Sequence, residues 1–159
     1  MTRTKLKTDD FLGIFAFAVP FVHAFGRVGC FCAGCCWGRR YDGPFAVRFE
    51  RPLSSAPVGI PLFPVQLLEC ALLFCISFVL FVLYANAEFS NKCGKKCVLL
   101  YVLAYSAIRF FTECLRADTE RRMIFTLSVS QFISVVLFVL SLTLSLVFFA
   151  LGKLSKAAA

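Results

Sequence analysis

The 159-residue chain is 60% hydrophobic and 16% charged, which excludes an ordinary soluble domain, whose apolar share stays near about 45 to 50%. Its 17 lysines and arginines lie between and beside apolar runs, so the formal charge of +8 indicates anionic lipid as a partner and no nucleic acid. The composition therefore predicts an integral membrane protein.

The first apolar run covers residues 11–32 and is long enough to cross a hydrocarbon core of about 30 Å. Arg27 lies near its far end, where a charge costs about 2.5 to 3.5 kcal/mol on insertion scales. Gly26, Gly29, Gly34 and Gly38 surround it, and residues without side chains let a helix or a ligand approach the backbone. This stretch predicts a binding site at membrane depth. The alternative, a cleaved signal peptide, lacks a small-residue cleavage site.

A long loop, residues 39–63, separates the first crossing from the second and contains a strand-like piece at 45–49. Loops of this length often lie over a functional site. The second crossing, about 64–87, begins at Pro64, a residue typical of a first helical turn. Glu69 follows in its first turns, where it either is interfacial or pairs with an arginine of another helix.

The third crossing, about 97–116, carries Tyr105, Arg109 and Glu113 four residues apart, which places them on one helix face. Charged groups on that face cannot point into lipid, so they face the protein interior or a polar cavity. A simpler alternative is an Arg109–Glu113 ion pair that satisfies only itself. A fourth crossing at about 125–152 completes an all-α, polytopic membrane fold, which we expect to be a single domain over residues 1–159.

The chain contains nine cysteines, and an odd count argues against a complete disulfide framework. Cys70, Cys75, Cys97 and Cys114 lie within apolar runs, where free cysteine packs as a small hydrophobe. A second group consists of Cys30, Cys32, Cys35 and Cys36 and includes a Cys-x-x-Cys spacing. A zinc site would normally need a second cluster or paired histidines, and His23 is the only histidine. We therefore expect neither a metal ligand set nor a cofactor, with metal binding or a redox dithiol left as alternatives.

Four blocks of the sequence resemble one known family. The first is Gly26-Arg27-Val28-Gly29-Cys30-Phe31, followed by Gly34 and by Gly38-Arg39. The others, in order, are Pro64-Val65-Gln66-Leu67-Leu68-Glu69, Tyr105-Ser106-Ala107-Ile108-Arg109-Phe110 with Glu113, and Ser128-Val129-Ser130-Gln131. On these residues the chain resembles the bacterial prolipoprotein diacylglyceryl transferases over nearly its whole length.

The resemblance implies a multi-pass enzyme of the bacterial cytoplasmic (inner) membrane that moves a diacylglyceryl group from phosphatidylglycerol to the lipobox cysteine thiol of a prolipoprotein signal peptide, releasing glycerol phosphate. It implies Arg27 and Arg109 as a phosphate clamp, which suits the bidentate donors of guanidinium groups. Tyr105 would donate a hydrogen bond to the head group. The resemblance also implies a set of residues that bind substrate or hold the arginines in place: Tyr105, Glu113, Glu69, Gln66, Gly26, Gly29, Gly34, Gly38 and Arg39.

The chain also departs from the family pattern. Family members are normally longer, with further crossings ahead of the signature, and carry a histidine there that is often proposed to help activate the thiol. His23, four residues before Arg27, is either the base that replaces it or a histidine satisfied by its surroundings. Cys30 and Cys35 stand where the family has Asn and Glu. The alternative function is therefore a truncated, non-catalytic relative that binds anionic lipid or handles thiols or metal through the Cys30–Cys36 segment.

Overall fold

The computed structural model describes residues 8–86, 94–118, 123–124 and 126–157. Four helices dominate it: α1 (Thr8–Ala33), α2 (Val65–Ala85), α3 (Gly94–Leu115) and α4 (Val129–Ala157). Each contains a segment long and apolar enough to cross a membrane. The predicted class, a helical multi-pass membrane protein, is confirmed, and the loop after the first helix lies where the sequence indicated.

A small antiparallel hairpin precedes α4, formed by β1 (Met123–Ile124) and β2 (Leu127–Ser128). It moves the start of α4 from the expected residue 125 to Val129. Ser128 then caps the helix: Gln131 N–H donates to Ser128 Oγ at 3.2 Å, and Ser128 N–H donates to Gln131 Oε1 at 3.0 Å. This reciprocal pair is a capping box, which satisfies two backbone donors that the helix leaves open.

The other helices differ from expectation mainly at their polar ends. α1 includes Asp9 and Asp10 in its first turn, where negative charge is favourable at a helix N-terminus. α2 is preceded by Pro64 and ends at Ala85, and residue 87 of the expected span lies outside the described residues. α3 begins at Gly94, three residues before the expected start at residue 97.

The strand predicted at residues 45–49 does not form. Val47 instead makes an isolated pair of backbone hydrogen bonds with Leu62, at 2.9 and 3.0 Å, and Phe49 bridges to Val58. Pro57 and Pro61 lie in the partner stretch and lack the N–H groups that a continuous ladder requires.

The helices α1, α2 and α3 pack against one another, and α4 lies against α3. One core cluster is centred on Ala16, Leu80 and Cys97, and a second on Ala24, Cys70 and Leu73. Cys70 and Cys97 are thus packing residues, as expected. Cys75 and Cys114 are exposed, so the expectation that they pack in the core is wrong. Cys114 Sγ accepts a hydrogen bond from Gln131 Nε2 of α4 at 3.2 Å.

At the end of α1 and α3, main-chain hydrogen bonds attach the long loop to the bundle. Arg39 N–H donates to Leu115 C=O at 3.0 Å, and Ala117 N–H donates to Trp37 C=O at 3.1 Å. Phe63 N–H donates to Arg39 C=O at 2.9 Å. These bonds hold the turn after α1 beside the C-terminal end of α3 and the start of α2, where the charged residues collect.

Candidate functional site

Glu69 on α2 joins arginines from two other helices. Its Oε1 lies 2.8 Å from Arg27 Nη2 on α1, and its Oε2 lies 3.5 Å from Arg109 Nη1 on α3. The Glu69 side chain is 2% exposed, so an unpaired carboxylate would be costly at this depth. Of the two alternatives for Glu69, the structure therefore shows pairing across helices.

The pairing continues along α3. Arg109 Nη2 lies 2.7 Å from Glu113 Oε2, the same oxygen lies 3.2 Å from Arg116 Nη1, and Arg116 Nη2 lies 2.6 Å from Asp118 Oδ2. We call these residues the arginine–carboxylate network: Arg27, Glu69, Arg109, Glu113, Arg116 and Asp118. Its three arginines and three carboxylates sum to a formal charge of zero, which lowers the cost of burying them. The Arg109–Glu113 pair is one link of it rather than an isolated pair.

Two buried guanidinium donors in this network, Arg27 Nε and Arg109 Nη1, make no hydrogen bond to the described residues. The 3.5 Å approach of Arg109 Nη1 to Glu69 is an electrostatic contact beyond good hydrogen-bond geometry. Glu69 Oε1 also lacks a well-angled hydrogen bond despite its close approach to Arg27. Buried N–H groups are normally paired, so these two donors mark the candidate position for an acceptor supplied from outside.

Arg109 is fixed by α4 as well. Its Nε donates to Ser130 Oγ at 2.7 Å. A cavity of about 330 Å³ opens here against Arg109, Glu113, Arg116 and Ser130. A smaller one of about 140 Å³ lies beside Tyr105 and Arg109. The arginine face of α3 therefore meets open space, as its polar pattern predicts.

His23 and Tyr105 lie beside Arg27. The rings of His23 and Tyr105 meet edge to face with centroids 5.2 Å apart, and the Tyr105 hydroxyl interacts with the Arg27 side chain. Because α1 continues unbroken through residue 33, His23 and Arg27 occupy the same helix face one turn apart. The structure thus places both candidate residues next to the α3 tyrosine.

The glycines divide into two groups. Gly34 and Gly38 are buried: Gly34 has φ +74°, and a Cβ on Gly38 would collide with the Phe63 carbonyl and the Val65 side chain. Gly26 and Gly29 are exposed, with nothing within 4 Å of the position that a Cβ would occupy. The sequence predicted that a helix or a ligand approaches these glycines. Among the described residues no helix approaches Gly26 or Gly29, so their surface is open to a ligand.

Gln66 and Arg39 hold the loop in place through hydrogen bonds that involve main-chain atoms. Gln66 is buried, and its Nε2 donates to Cys35 C=O at 2.6 Å. The Arg39 side chain is exposed while its main chain joins Leu115 and Phe63. Among the described residues, neither side chain makes an ion pair or hydrogen bond to the arginine–carboxylate network, so both lie at its edge.

Arg116, Asp118 and Ser130 belong to this site but were not selected from the sequence. Arg116 follows Glu113 by three residues, a spacing that places the two side chains together on a helix, so the pattern was visible. Burial lowers the pKa of Arg116, but hydrogen bonding to Asp118 and the negative charges of Glu113 and Asp118 outweigh it, so the pKa lies above its usual value. Arg116 therefore stays charged throughout the accessible pH range.

The turn after α1 brings thiols together. The sulfur atoms of Cys30, Cys35 and Cys36 lie within 4.8 Å of one another, and Cys35 Sγ donates to Cys30 C=O at 3.6 Å. Burial, followed by interactions with the neighbouring thiols, raises the pKa of Cys35 to about 12. Cys32 is exposed and lies outside this group, so the Cys-x-x-Cys spacing of the sequence does not form the cluster.

Comparison with known proteins agrees with the residue blocks. The family model described as prolipoprotein diacylglyceryl transferase matches residues 1–147. Phosphatidylglycerol–prolipoprotein diacylglyceryl transferase 2 of Clostridium perfringens is 40% identical over 111 residues, covering 70% of this chain and 41% of the relative. The corresponding enzyme of Clostridium tetani is 38% identical over 133 residues, covering 82% of this chain and 51% of the relative.

A more distant relative, the phosphatidylglycerol–prolipoprotein diacylglyceryl transferase of Dehalococcoides mccartyi strain BAV1, is 31% identical over 140 residues, which is 86% of this chain and 50% of the relative. The chain thus spans about half the length of the relatives it matches. No solved structure matches it. The extent of the family match, with the four motif blocks in order, shows that this multi-pass membrane protein belongs to the prolipoprotein diacylglyceryl transferase family.

Proposed function

We propose that the chain takes part in transferring a diacylglyceryl group from phosphatidylglycerol to the lipobox cysteine thiol of a prolipoprotein signal peptide, in the bacterial cytoplasmic membrane. The relatives named above carry this activity in their names. The observation that supports it most directly is the pair of buried guanidinium donors without a hydrogen bond, Arg27 Nε and Arg109 Nη1.

These two donors suit a phosphodiester. Glu69 holds guanidinium groups from α1 and α3 at one carboxylate, so their planes are oriented before any substrate arrives. Guanidinium groups bind phosphate oxygens through paired N–H donors. In a site away from water, pre-organised positive charge stabilises the negative charge that develops on a leaving phosphate.

In the proposed reaction, the peptide sulfur attacks the terminal glycerol carbon of the diacylglyceryl group. A carbon–sulfur bond forms while the carbon–oxygen bond to phosphate breaks, and glycerol phosphate leaves. Arg27 and Arg109 bind the departing phosphate, and Tyr105 donates a hydrogen bond to the head group. The thiol proton needs an acceptor, and His23, edge to face with Tyr105, is the candidate base.

The transfer assay uses the purified chain in detergent with phosphatidylglycerol and a lipobox peptide, and follows glycerol phosphate release with and without the peptide. We expect peptide-dependent release that Arg27→Ala and Arg109→Ala each lower by about 10²- to 10³-fold. Arg40→Ala is the matched control, because Arg40 is an exposed arginine whose Asp42 contact, at 3.7 Å, lies at the surface.

A folded protein that binds phosphatidylglycerol through Arg27 and Arg109 but never releases glycerol phosphate would favour the non-catalytic alternative. Release that persists in both arginine variants would contradict the proposed phosphate site. Circular dichroism and size-exclusion chromatography of each variant check that lost activity is not lost folding.

A further inference from the structure

The three thiols after α1 form a compact group outside the arginine–carboxylate network. Cys30 belongs to the last turn of α1, and Cys35 and Cys36 follow directly after the helix ends at Ala33. All three are free and half-buried. Their sulfur atoms lie within 4.8 Å of one another, and we call them the thiol cluster.

The spacing of the thiol cluster suits one shared ion. Metal–sulfur bonds of about 2.3 Å place three thiolates around one ion roughly 3.8 to 4.0 Å apart. The observed upper limit of 4.8 Å therefore requires the sulfurs to close by about 1 Å or less, which side-chain rotation supplies. A disulfide would join only two of these sulfurs and leave the third as a free thiol.

Hydrogen bonds from the main chain and from Gln66 of α2 hold the turn that carries the cluster. Cys35 N–H donates to Cys30 C=O at 3.1 Å, and Gln66 Nε2 donates to Cys35 C=O at 2.6 Å. Cys36 adopts φ +57°, a conformation that is uncommon for a residue with a side chain. The turn that brings Cys35 and Cys36 back toward Cys30 is thus held by hydrogen bonds of its own.

Two arginines interact with the cluster. Arg27 interacts electrostatically with Cys30, and Arg116 with Cys36. Three thiolates around a divalent ion carry a net charge of −1, and around a monovalent ion −2. Glu69, Glu113 and Asp118 already balance the formal charges of both arginines, so the guanidinium groups lower the cost of the thiolate charge only through short-range attraction to the sulfurs.

The three sulfur donors also restrict which metal ion can bind. Thiolates are soft ligands that favour zinc and copper(I) over magnesium or calcium. No histidine or carboxylate of the described residues joins the three sulfurs. Three-coordinate copper(I), or zinc with one external ligand, matches this set.

We propose that Cys30, Cys35 and Cys36 bind one thiophilic metal ion, zinc(II) or copper(I). The ion fastens the turn at residues 34–36 to the end of α1, next to Arg27 and Arg116. This goes beyond the proposed transfer reaction, which needs no metal, and does not depend on it.

Metal binding to the purified full chain in detergent tests the proposal directly. Under a non-thiol reductant, zinc(II) is titrated against a chromogenic chelator and copper(I) against bicinchoninate. We expect one equivalent of one of these ions per chain. Cys30→Ser, Cys35→Ser and Cys36→Ser each weaken binding by at least about tenfold, whereas the matched control Cys32→Ser, at an exposed cysteine outside the cluster, leaves it unchanged.

A second measurement uses the unaltered protein, so that a variant that fails to fold does not decide the outcome. Maleimide labelling with peptide mapping should show that the metal slows modification of Cys30, Cys35 and Cys36 and leaves Cys32 as reactive as before. Equal labelling rates with and without metal would overturn the proposal. So would metal binding that needs Cys32 and not Cys36, or a Cys30–Cys35 disulfide that persists under reductant.

Discussion

The two ends of the helix bundle are held together by different forces. At one end, small and apolar residues meet, as in the cluster of Ala16, Leu80 and Cys97. At the other end, the arginine–carboxylate network joins α1, α2 and α3 through buried charges. Lipid supplies little hydrophobic drive between helices, so the apolar end depends on close fit. The stability of the charged end depends on each buried charge remaining paired with an opposite charge.

This contrast separates what each end contributes. Apolar contacts between helices tolerate changes that preserve volume, whereas a buried charge that loses its partner is exposed to the full cost of desolvation. We therefore expect the charged end to respond most strongly to substitution, in both stability and function.

Glu69→Ala is expected to have the largest effect, because it leaves Arg27 and Arg109 without their shared carboxylate. Removing one partner of a buried ion pair costs about 3 to 5 kcal/mol. Thermal unfolding in detergent measures the loss. Glu50→Ala, at an exposed glutamate of the loop, is the control, and equal stability of the two variants would show that the network is not stabilising.

Arg109→Ala is expected to lower peptide-dependent transfer by about 10²- to 10³-fold, the usual effect of removing one donor to a developing anion. Arg109→Lys keeps the charge but loses the fork of donors, so it should recover only part of the activity. Glycerol phosphate release measures both. Full activity in the lysine variant would show that charge alone is sufficient at this position.

Gly94→Ala tests the apolar end, where a Cβ would collide with the main-chain carbonyl of Asp9. Overpacking against a backbone that cannot move aside costs about 1 to 3 kcal/mol. Gly29→Ala is the matched control, since its Cβ would meet open space. Unfolding temperatures of the two variants should differ, and a loss of transfer in a stable Gly29→Ala protein would indicate that substrate approaches there.

Cys75→Ala should have the smallest effect. Its side chain is exposed on a membrane-crossing helix, and such substitutions usually stay within about 0.5 kcal/mol. Transfer and thermal unfolding are both expected to match the unaltered protein. A marked loss would mean that a further helix or partner packs on this face of α2.

The crossings and the shared face of Tyr105, Arg109 and Glu113 could be predicted because both follow from local periodicity. The pairing of Glu69 with two helices could be anticipated only as one alternative, since it depends on how α1, α2 and α3 assemble. That residues 1–159 form a single membrane domain stays a prediction.

The sequence grouped Cys30, Cys32, Cys35 and Cys36 but did not show which three of these thiols meet. The Cys32–Cys35 spacing was the visible pattern, but α1 ends at Ala33 and the chain turns at Cys36, so Cys30 rather than Cys32 meets the later thiols. Arg116 was missed although its spacing from Glu113 was visible, because it ends the expected third crossing and its second partner, Asp118, lies beyond that helix.

Because Glu69 is shared, Arg27 and Arg109 are thermodynamically coupled. A ligand or substitution that draws one guanidinium away leaves more of the carboxylate for the other. Energetic effects of changing residues that share a partner do not add. The two arginines therefore act as one unit spanning two helices, and an anion that engages either of them also shifts the balance of contacts that hold α1 against α3.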